Sequence, residues 1–403
     1  MNRPHSLVQV FNRYLQKGGE EASVERIHDH AALRHPVTRC FFDSATWTGP
    51  GAPGRLRQAA RFFYNAGSAR LFEEAVRRSS AEAALFHNIY PVGSPSLYRS
   101  ALRQGLPVIQ YLHNYRPFSV GGSLFYDGSV HTAPLSGDYA GEVAAGAWQG
   151  RARSLLCALM LKLLHRSGWL ESVKAWVCIS QFMADRLAQH GCVPAGRLHV
   201  LRHSWDAMPS PPPPEDRGHY LFLGRLIPEK GLPMLIQAWQ ELRRQLGANT
   251  PQLHIAGEGP LESLVRQAAA DSPCIRHLGL LSGRTKAEAL QGCRALVAPS
   301  VWWEPLGLMV YEAYDHGKPV LAARSGGLGE TVLQDETGLL HEPGDVEGLV
   351  RDVLALESMT AEQRQAMGGR GRDWLLREAS AALWQDRFDA ILEQALMEHR
   401  RPS

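Results

Sequence analysis

The chain has 403 residues, of which 44% are hydrophobic and 21% charged, and its formal net charge is +3. This length suits two domains, and the composition is that of an ordinary soluble protein, which excludes a strongly biased disordered or fibrous chain. The charge is uneven, because residues 1–206 carry 23 Lys and Arg against 14 Asp and Glu, whereas residues 207–403 carry 20 against 26. The basic first half predicts an acidic partner, such as a phosphate-bearing acceptor or an anionic membrane face, and a scattered solvated surface explains it equally well.

The cysteines and the apolar stretches bear on the compartment. The six cysteines form no Cys-x-x-Cys pair and have no zinc-ligand spacing with histidine, which is typical of buried thiols in a reducing compartment. The longest apolar stretch, 155–164, is interrupted by Lys162 and is too short to span a bilayer. No signal peptide is expected. We therefore expect a cytoplasmic protein, with peripheral contact on the inner membrane face as an open alternative.

Strands alternate with helices in the first half of the chain. An alternating pattern predicts a first strand at 6–11, and short apolar runs predict buried parallel strands at 83–86, 108–112 and 176–179. The segment 119–147 is rich in Gly, Ser and Ala, and it predicts a long surface loop that closes over a substrate.

A proline run at 209–214 separates the two halves, because such a run resists helix and sheet. Beyond it the pattern restarts, with a helix predicted at 232–246 and strands at 220–223, 253–256, 295–298 and 320–322. This alternation predicts a parallel sheet covered by helices on both faces. Ligands of such sheets bind outside the carboxyl ends of the strands.

The segment 298–313 predicts a strand end, a tight loop and a helix. Pro305 suits the first helical turn, and Gly317 suits the position just past the last one. The free N–H groups of Leu306 and Gly307 would then favour a phosphate, because a helix start attracts negative charge.

Two carboxylates flank this predicted phosphate site. Glu304 is expected at the helix start and Glu312 on the helix body, about 9–12 Å further along at 1.5 Å per residue. Carboxylates accept hydrogen bonds from hydroxyls, so the pair predicts a ligand with a sugar at each end of a diphosphate. That ligand is a nucleotide sugar.

This segment resembles the Glu-x7-Glu signature of retaining family 4 glycosyltransferases (glycosyl transferases group 1) of the GT-B fold, and Trp302, Trp303, Pro305 and Gly307 also match. The resemblance implies an α/β protein with two Rossmann-like domains and an interdomain cleft. It implies an acceptor-binding domain at 1–206, a nucleotide-sugar-binding domain at 207–371, and a C-terminal helix within 372–403 that crosses back to the N-terminal domain.

The same resemblance assigns roles in the second half. Arg225 and Lys230 follow Gly224 in the loop after a strand, and they neutralise the diphosphate leaving group, as cations that hold phosphate oxygens do. Glu304 holds the hydroxyls of the transferred sugar, and Glu312 holds those of the ribose. The donor-binding residues implied here are Gly224, Leu306, Gly307, Leu308 and Glu312.

In the first half, the resemblance implies that His113, which follows a predicted strand, contacts the donor sugar as a catalytic residue. His87 ends another strand, with a less defined role. Gly18 and Gly19 follow the first strand, and they would let the backbone pass close to the diphosphate.

The chain contains no Asp-x-Asp motif, which many other glycosyltransferases use to hold a metal ion. We therefore expect no cofactor and no metal, a nucleotide-sugar donor, and a carbohydrate or lipid-linked acceptor used in polysaccharide, glycolipid or other glycoconjugate synthesis. No nucleic-acid partner is expected. Two alternatives stay open: a nucleotide-sugar 2-epimerase of the same fold, and a non-catalytic nucleotide-sugar-binding protein.

Overall fold

The computed structural model describes residues 3–15, 18–209 and 215–400. The chain divides into two compact units. Unit 1 comprises the described parts of Met1–Tyr126, His131–Ser204 and Ala381–Ser403, and unit 2 comprises those of Asp127–Val130 and Trp205–Ser380. Most of the proline run that predicts a boundary, residues 210–214, lies outside the described residues.

Unit 1 is built on a six-stranded parallel sheet with the strand order β2-β1-β3-β4-β7-β8. The strands of the first half are β1 (Leu7–Arg13), β2 (Val37–Asp43), β3 (Ala83–Phe86), β4 (Val108–Leu112), β5 (Phe125–Tyr126), β6 (Ser129–Val130), β7 (Val173–Cys178) and β8 (Leu198–Val200), of which β5 and β6 form a separate pair. The helices are α1 (Gly19–Ala32), α2 (Arg55–Phe63), α3 (Ala66–Ser79), α4 (Ser96–Arg103), α5 (Ala140–Ala145), α6 (Arg151–Arg166) and α7 (Gln181–Gln189). Every residue of β3 and β4 is buried, as continuous apolar runs covered on both faces should be.

The expectation of a long surface loop at 119–147 is wrong. The segment contains β5, β6, a short 3-10 turn and α5, and several of its side chains are buried. Its anchor is Glu142, which is 1% exposed and accepts hydrogen bonds from Ser119 Oγ at 2.5 Å, Val120 N at 2.8 Å and Gly121 N at 3.1 Å. A buried carboxylate with this many donors holds its segment in place. Composition did not reveal it, because two of the donors are backbone amides.

Unit 2 is built on a second six-stranded parallel sheet with the order β11-β10-β9-β12-β13-β14. Its strands are β9 (His219–Leu223), β10 (Gln252–Ala256), β11 (Ile275–Gly279), β12 (Cys293–Ala298), β13 (Val320–Ala323) and β14 (Gly338–His341). Its helices are α8 (Leu232–Leu246), α9 (Glu262–Asp271), α10 (Gly283–Gly292), α11 (Leu308–Asp315), α12 (Leu328–Thr331), α13 (Val346–Ser358) and α14 (Ala361–Glu378). The predicted bounds of α8 match, because Gly247 with φ +57° ends the helix.

The last helix, α15 (Ala381–Arg400), belongs to unit 1. Its Trp384 and Phe388 rings stack 4.9 Å apart, and Trp384 Nε1 donates to Tyr111 Oη at 3.3 Å. Gln385 Nε2 donates to the His30 carbonyl at 2.9 Å. The helix begins at Ala381, within the stretch 372–403, and the residues up to Glu378 belong to α14.

Across the described residues, no helix combines the length and the hydropathy that crossing a bilayer requires. All six cysteines are free, and all but the half-buried Cys192 are buried. Burial raises the pKa of the Cys157 thiol to about 12, so this side chain is an unreactive apolar group at neutral pH.

Candidate functional site

Three neighbouring strands of unit 2 bring its predicted site residues together. β9, β12 and β13 are adjacent and parallel, so the loops that follow them leave the same edge of the sheet. The predicted residues Lys230 and Glu304 lie in the loops after β9 and β12, and the loop after β13, which was not predicted as part of the site, lies beside them.

Glu304 is a buried carboxylate with three donors on one oxygen. Its Oε2 accepts from Lys230 Nζ at 2.6 Å, from Ser300 Oγ at 3.0 Å and from Trp302 Nε1 at 3.0 Å. The other oxygen, Oε1, has no hydrogen-bond partner in the described part of the chain. The carboxylate is therefore held rigidly while one oxygen stays available to a ligand hydroxyl.

Lys230 is the ion-pair partner of this carboxylate. Its side chain is 9% exposed, and its ammonium lies 5.7 Å from the centre of the Trp302 ring. Sequence reasoning gave Lys230 and Glu304 separate roles and did not expect the pair. A paired ammonium still has further protons to donate, so Lys230 can reach a phosphate oxygen without losing Glu304.

Glycines allow the surrounding loops to approach closely. A Cβ on Gly326, whose φ is +59°, would lie 2.2 Å from the Glu304 carbonyl oxygen, and Gly327 N donates to that oxygen at 2.7 Å. A Cβ on Gly231 would lie 1.9 Å from the Pro299 carbonyl oxygen. Only glycine fits at such contacts, so the backbone on either side of the ion pair is fixed.

The start of α11 differs from its prediction. The helix begins at Leu308, with Gly307 at its N-cap in the left-handed region (φ +87°), so Pro305 lies outside the helix rather than in its first turn. Because Glu304 precedes the helix, the predicted separation of about 9–12 Å between Glu304 and Glu312, which assumed a helical rise throughout, does not apply. The backbone N–H groups of Leu306, Gly307, Leu308 and Met309 have no acceptor among the described residues. The predicted cluster of free amides is thus present, but at a glycine-bent approach to the helix.

Arg225 has an exposed side chain on a fixed backbone. Gly224 N donates to the Ala256 carbonyl at 3.1 Å, and Leu226 N donates to the Glu258 carbonyl at 2.9 Å. Gly257 has no room for a side chain, since a Cβ there would lie 1.8 Å from the Gly224 carbonyl oxygen. In the described part of the chain, the Arg225 guanidinium has no hydrogen-bond or ion-pair partner. Its charge is therefore free to meet an anion.

Glu312 lies on α11 and is paired with a residue that sequence reasoning missed. Its Oε1 lies 3.1 Å from Lys286 Nζ on α10, and the carboxylate is one-fifth exposed. Lys286 follows the loop after β11. Nothing in the spacing of the sequence connects it to Glu312, because the pairing depends on how two helices pack.

In unit 1, the predicted glycines open α1. Gly18 is the N-cap residue and Gly19 the first helical residue. The next residue, Glu20, accepts from Tyr14 Oη at 2.8 Å and from Asn114 Nδ2 at 3.1 Å. Burial, with the Glu20 charge second, raises the pKa of Tyr14 well above its usual value, so the phenol stays protonated and donates.

His113 lies inside a directional chain of hydrogen bonds. Gln9 Nε2 donates to the Val24 carbonyl at 3.0 Å, which identifies this atom as the amide nitrogen, and the same nitrogen lies 3.0 Å from His87 Nε2. His87 must therefore accept at Nε2 and donate from Nδ1, which lies 2.8 Å from His113 Nε2. His113 in turn donates from Nδ1 to His203 Nε2 at 3.3 Å.

Both ring nitrogens of His113 are consequently occupied by protein. Burial lowers the pKa of His113 to about 3, and it lowers the pKa of His87 and His203 well below their usual value, with the neighbouring imidazoles adding to the effect. His113 is thus a neutral ring of defined tautomer. Sequence reasoning missed His203, which follows β8 and carries no recognisable motif.

The comparisons with known protein sequences concern mainly the part of the chain that forms unit 2. Residues 204–374 match the sequence model of the family described as Glycosyl transferases group 1. A GDP-mannose-dependent alpha-(1-6)-phosphatidylinositol monomannoside mannosyltransferase of Mycolicibacterium smegmatis is 33% identical over 198 residues, which cover 46% of this chain and 49% of that protein. A glycogen synthase of Mycobacterium tuberculosis is 32% identical over 239 residues, which cover 52% of this chain and 57% of that protein. The chain thus spans about half the length of these curated relatives.

Solved structures resemble the chain over nearly its whole length. Sucrose-phosphate synthase of Thermosynechococcus elongatus has a TM-score of 0.68 at 17% identity, covering 98% of this chain and 100% of that one. HepE of Anabaena, solved in complex with UDP and glucose, has a TM-score of 0.66 at 14% identity, covering 96% and 100%. At such identities the likeness establishes the fold alone, and it confirms the predicted pair of parallel-sheet α/β domains of the GT-B class.

Proposed function

We propose that the chain is a group 1 glycosyltransferase, whose family model its residues 204–374 match, and that it moves a sugar from a nucleoside diphosphate sugar to an acceptor hydroxyl. One observation carries the proposal. A rigidly held carboxylate with one free oxygen, Glu304, lies just before four successive backbone amides that have no acceptor among the described residues, two in the same loop and two at the start of α11. A hydroxylated ring bearing a diphosphate satisfies both sets of groups.

The leaving diphosphate gains negative charge as its bond to the sugar breaks. Arg225 and Lys230 supply cations to it, and the amides of Leu306, Gly307 and Leu308 supply donors. Gly224 keeps the backbone beside Arg225 free of a side chain. Donors and charges already in place stabilise such a transition state without reorganisation, which is usually the largest catalytic contribution.

The carboxylates orient the donor. Glu304 Oε1 accepts from hydroxyls of the transferred sugar, and Glu312 accepts from the ribose hydroxyls. Holding the reacting ring in one orientation lowers the entropic part of the barrier. Glu312 must share its charge with Lys286, which fixes the carboxylate before the ribose arrives.

The residues of unit 1 keep their assignments as proposals. His113 contacts the donor sugar, and Gly18 and Gly19 allow the diphosphate to approach their backbone. Since both imidazole nitrogens of His113 already have partners, its contact is that of a neutral group and not of an acid.

The stereochemistry and the metal requirement follow the resemblance to family 4. We propose retention of the anomeric configuration, with the departing phosphate oxygen taking the acceptor's proton. We propose that the reaction needs no metal, because two cations and several amides already balance the diphosphate. The acceptor is a carbohydrate or a lipid-linked glycan, as the name of the mannosyltransferase relative suggests for that protein.

A donor screen tests the function. The full chain is incubated with UDP, GDP and ADP sugars, with and without a panel of glycan and glycolipid acceptors, and nucleoside diphosphate release is followed. Release that depends on an acceptor supports transfer. A change in the sugar without any acceptor would instead identify an epimerase, and tight donor binding with no turnover would identify a binding protein. Strong inhibition by EDTA would contradict the metal-free reaction.

A further inference from the structure

Helix α6 of unit 1 carries an apolar stripe on its outward face. Leu155, Leu159 and Leu163 recur every four residues, so they share one side of the helix, and they are 50%, 50% and 46% exposed. The opposite side is an ordinary buried face, formed by Ser154, Cys157, Ala158, Met160, Leu161 and Leu164. The three leucines are therefore not needed to pack α6 against the rest of unit 1.

Cations flank this stripe. At 3.6 residues per turn, Arg151, Lys162 and Arg166 fall on the same arc of α6 as the leucines, and all three are exposed. Helix α2 packs against α6 and adds three arginines and the 89% exposed Leu56. The α2 arginines are Arg55, Arg57 and Arg61. Neither helix contains an Asp or a Glu.

None of these six cations makes an ion pair with any residue that the structure describes. Exposed helices of unit 2 behave differently. On α8, α9 and α10, arginines pair with glutamates three or four residues away, as in Glu241 with Arg244 and Glu262 with Arg266. Those are solvated faces whose charges are balanced within the helix. The outward face of α6 instead combines unbalanced positive charge with exposed hydrocarbon, and α2 beside it adds further unpaired arginines.

We propose that this face docks on an anionic lipid bilayer. The leucines of α6 enter the boundary between headgroups and acyl chains, while the lysine and arginines meet lipid phosphates. A bilayer surface offers negative charge and hydrocarbon over the same plane, which is what a helix lying flat with this pattern requires. The inference concerns surface residues outside the proposed donor site, so it stands or falls separately from the transfer reaction.

Flotation with vesicles tests the proposal on the full chain. The protein should float with vesicles of phosphatidylcholine mixed with phosphatidylglycerol, and it should stay behind with phosphatidylcholine alone. Replacing Leu155, Leu159 and Leu163 together by Gln should weaken binding roughly 100-fold, because three half-exposed leucines lose their burial in lipid. Replacing Arg151, Lys162 and Arg166 together by Gln should weaken it by a similar factor, since each cation near an anionic surface contributes about fivefold.

Matched controls separate this surface from general stickiness. Leu33, Leu264 and Leu376 are exposed leucines elsewhere, and their combined replacement by Gln should leave binding unchanged. Replacing Arg244, Arg266 and Arg284 by Gln removes the same net charge from unit 2 and should also have little effect. Circular dichroism confirms that each variant is folded, and both α6 variants replace exposed side chains, so folding is expected.

Three outcomes would overturn the proposal. The first is equal binding to both vesicle types, and the second is wild-type binding by folded variants of both α6 sets. The third is a dimer, seen by light scattering, that the leucine variant dissociates while vesicle binding persists, because the stripe would then belong to an interface with a second copy.

Discussion

The two units present different chemistry at the carboxyl ends of their strands. Unit 2 carries charge there: Lys230 and Glu304 form a buried ion pair, and Arg225 is an exposed cation on a fixed backbone. Unit 1 carries a chain of neutral imidazoles in which His87 donates to His113 and His113 donates to His203.

The comparison teaches how two similar sheets specialise. Each unit places polar residues after its central strands, because parallel strands end at a common edge. In unit 2, charges are kept in place by ion pairing and by glycine contacts between loops. In unit 1, burial and mutual hydrogen bonding keep the rings uncharged. The first arrangement suits a phosphate, and the second suits uncharged groups.

The largest effect is expected from acid, which should destabilise the hydrogen-bonded series of neutral histidines in unit 1. The folded-state pKa values of His87, His113 and His203 lie below the ordinary value of 6.5, so below that pH the unfolded state binds more protons than the folded state. The contribution of these histidines to the free energy of unfolding is therefore fully present above about pH 6.5. It falls as the pH drops, by about 1.4 kcal/mol per pH unit for each histidine that stays neutral. Urea unfolding at several pH values from 7 to 5 measures this slope.

Replacing His203 by Gln should make that acid slope shallower, because one proton fewer is taken up on unfolding. His190→Gln replaces a histidine outside this hydrogen-bonded series and serves as the comparison variant. Equal slopes in the wild type and the His203 variant would mean that His203 is not held neutral in the folded protein.

The second-largest effect on stability is expected from breaking the ion pair between Lys230 and Glu304 in unit 2. Lys230→Met leaves the Glu304 carboxylate buried without its cation, at a cost of about 3–5 kcal/mol. The double variant Lys230→Met with Glu304→Gln removes both charges and should recover part of this loss. Denaturant titration measures each value, with Lys174→Met as the control. A single variant as stable as the wild type would show that the pair does not hold the site.

Arg225 should affect turnover without affecting stability. Arg225→Ala is expected to lower kcat by about 10²–10³-fold, because charge develops on the diphosphate only as the bond breaks. Its melting temperature should not change, since the guanidinium has no partner among the described residues. Arg276→Ala, an exposed arginine on β11, provides the matched control. Normal turnover in the Arg225 variant would remove its proposed role.

Glu312 should show the smallest effect. Glu312→Gln is expected to weaken nucleoside diphosphate affinity about tenfold, which corresponds to about 1.4 kcal/mol, through weaker acceptance from the ribose hydroxyls. Lys286→Met leaves the carboxylate in place but no longer fixes it, so this variant should lose less affinity than Glu312→Gln. Calorimetry with the free nucleotide compares the two variants. If only the Lys286 variant lost affinity, the ribose role would pass to Lys286.

The sequence predicted the parts of the fold that depend on local pattern. The buried strands β3 and β4 and the helix α8 have their predicted bounds, because continuous apolar runs and a terminal Gly247 act locally. The start of α11 was placed too early. Pro305 fits a first turn equally well in principle, but Gly307 takes the left-handed conformation and moves the helix start to Leu308.

The contacts across the sequence could not be predicted. Lys230 and Glu304 are paired although 74 positions separate them, and His203 reaches His113 across 90. Such pairs depend on the order of strands in each sheet and not on any motif. The α6 leucines show the reverse case, because the sequence identified the mixture of basic and apolar residues but not which face stays exposed.

The central claim is that Glu304 and the amides beside it hold a nucleotide sugar. A crystal structure with the best donor from the screen tests it most directly. We predict a hydroxyl of the transferred sugar within hydrogen-bond distance of Glu304 Oε1, and phosphate oxygens on the amides of Leu306, Gly307 and Leu308. A donor bound elsewhere, with Oε1 and these amides contacted only by water, would contradict the account.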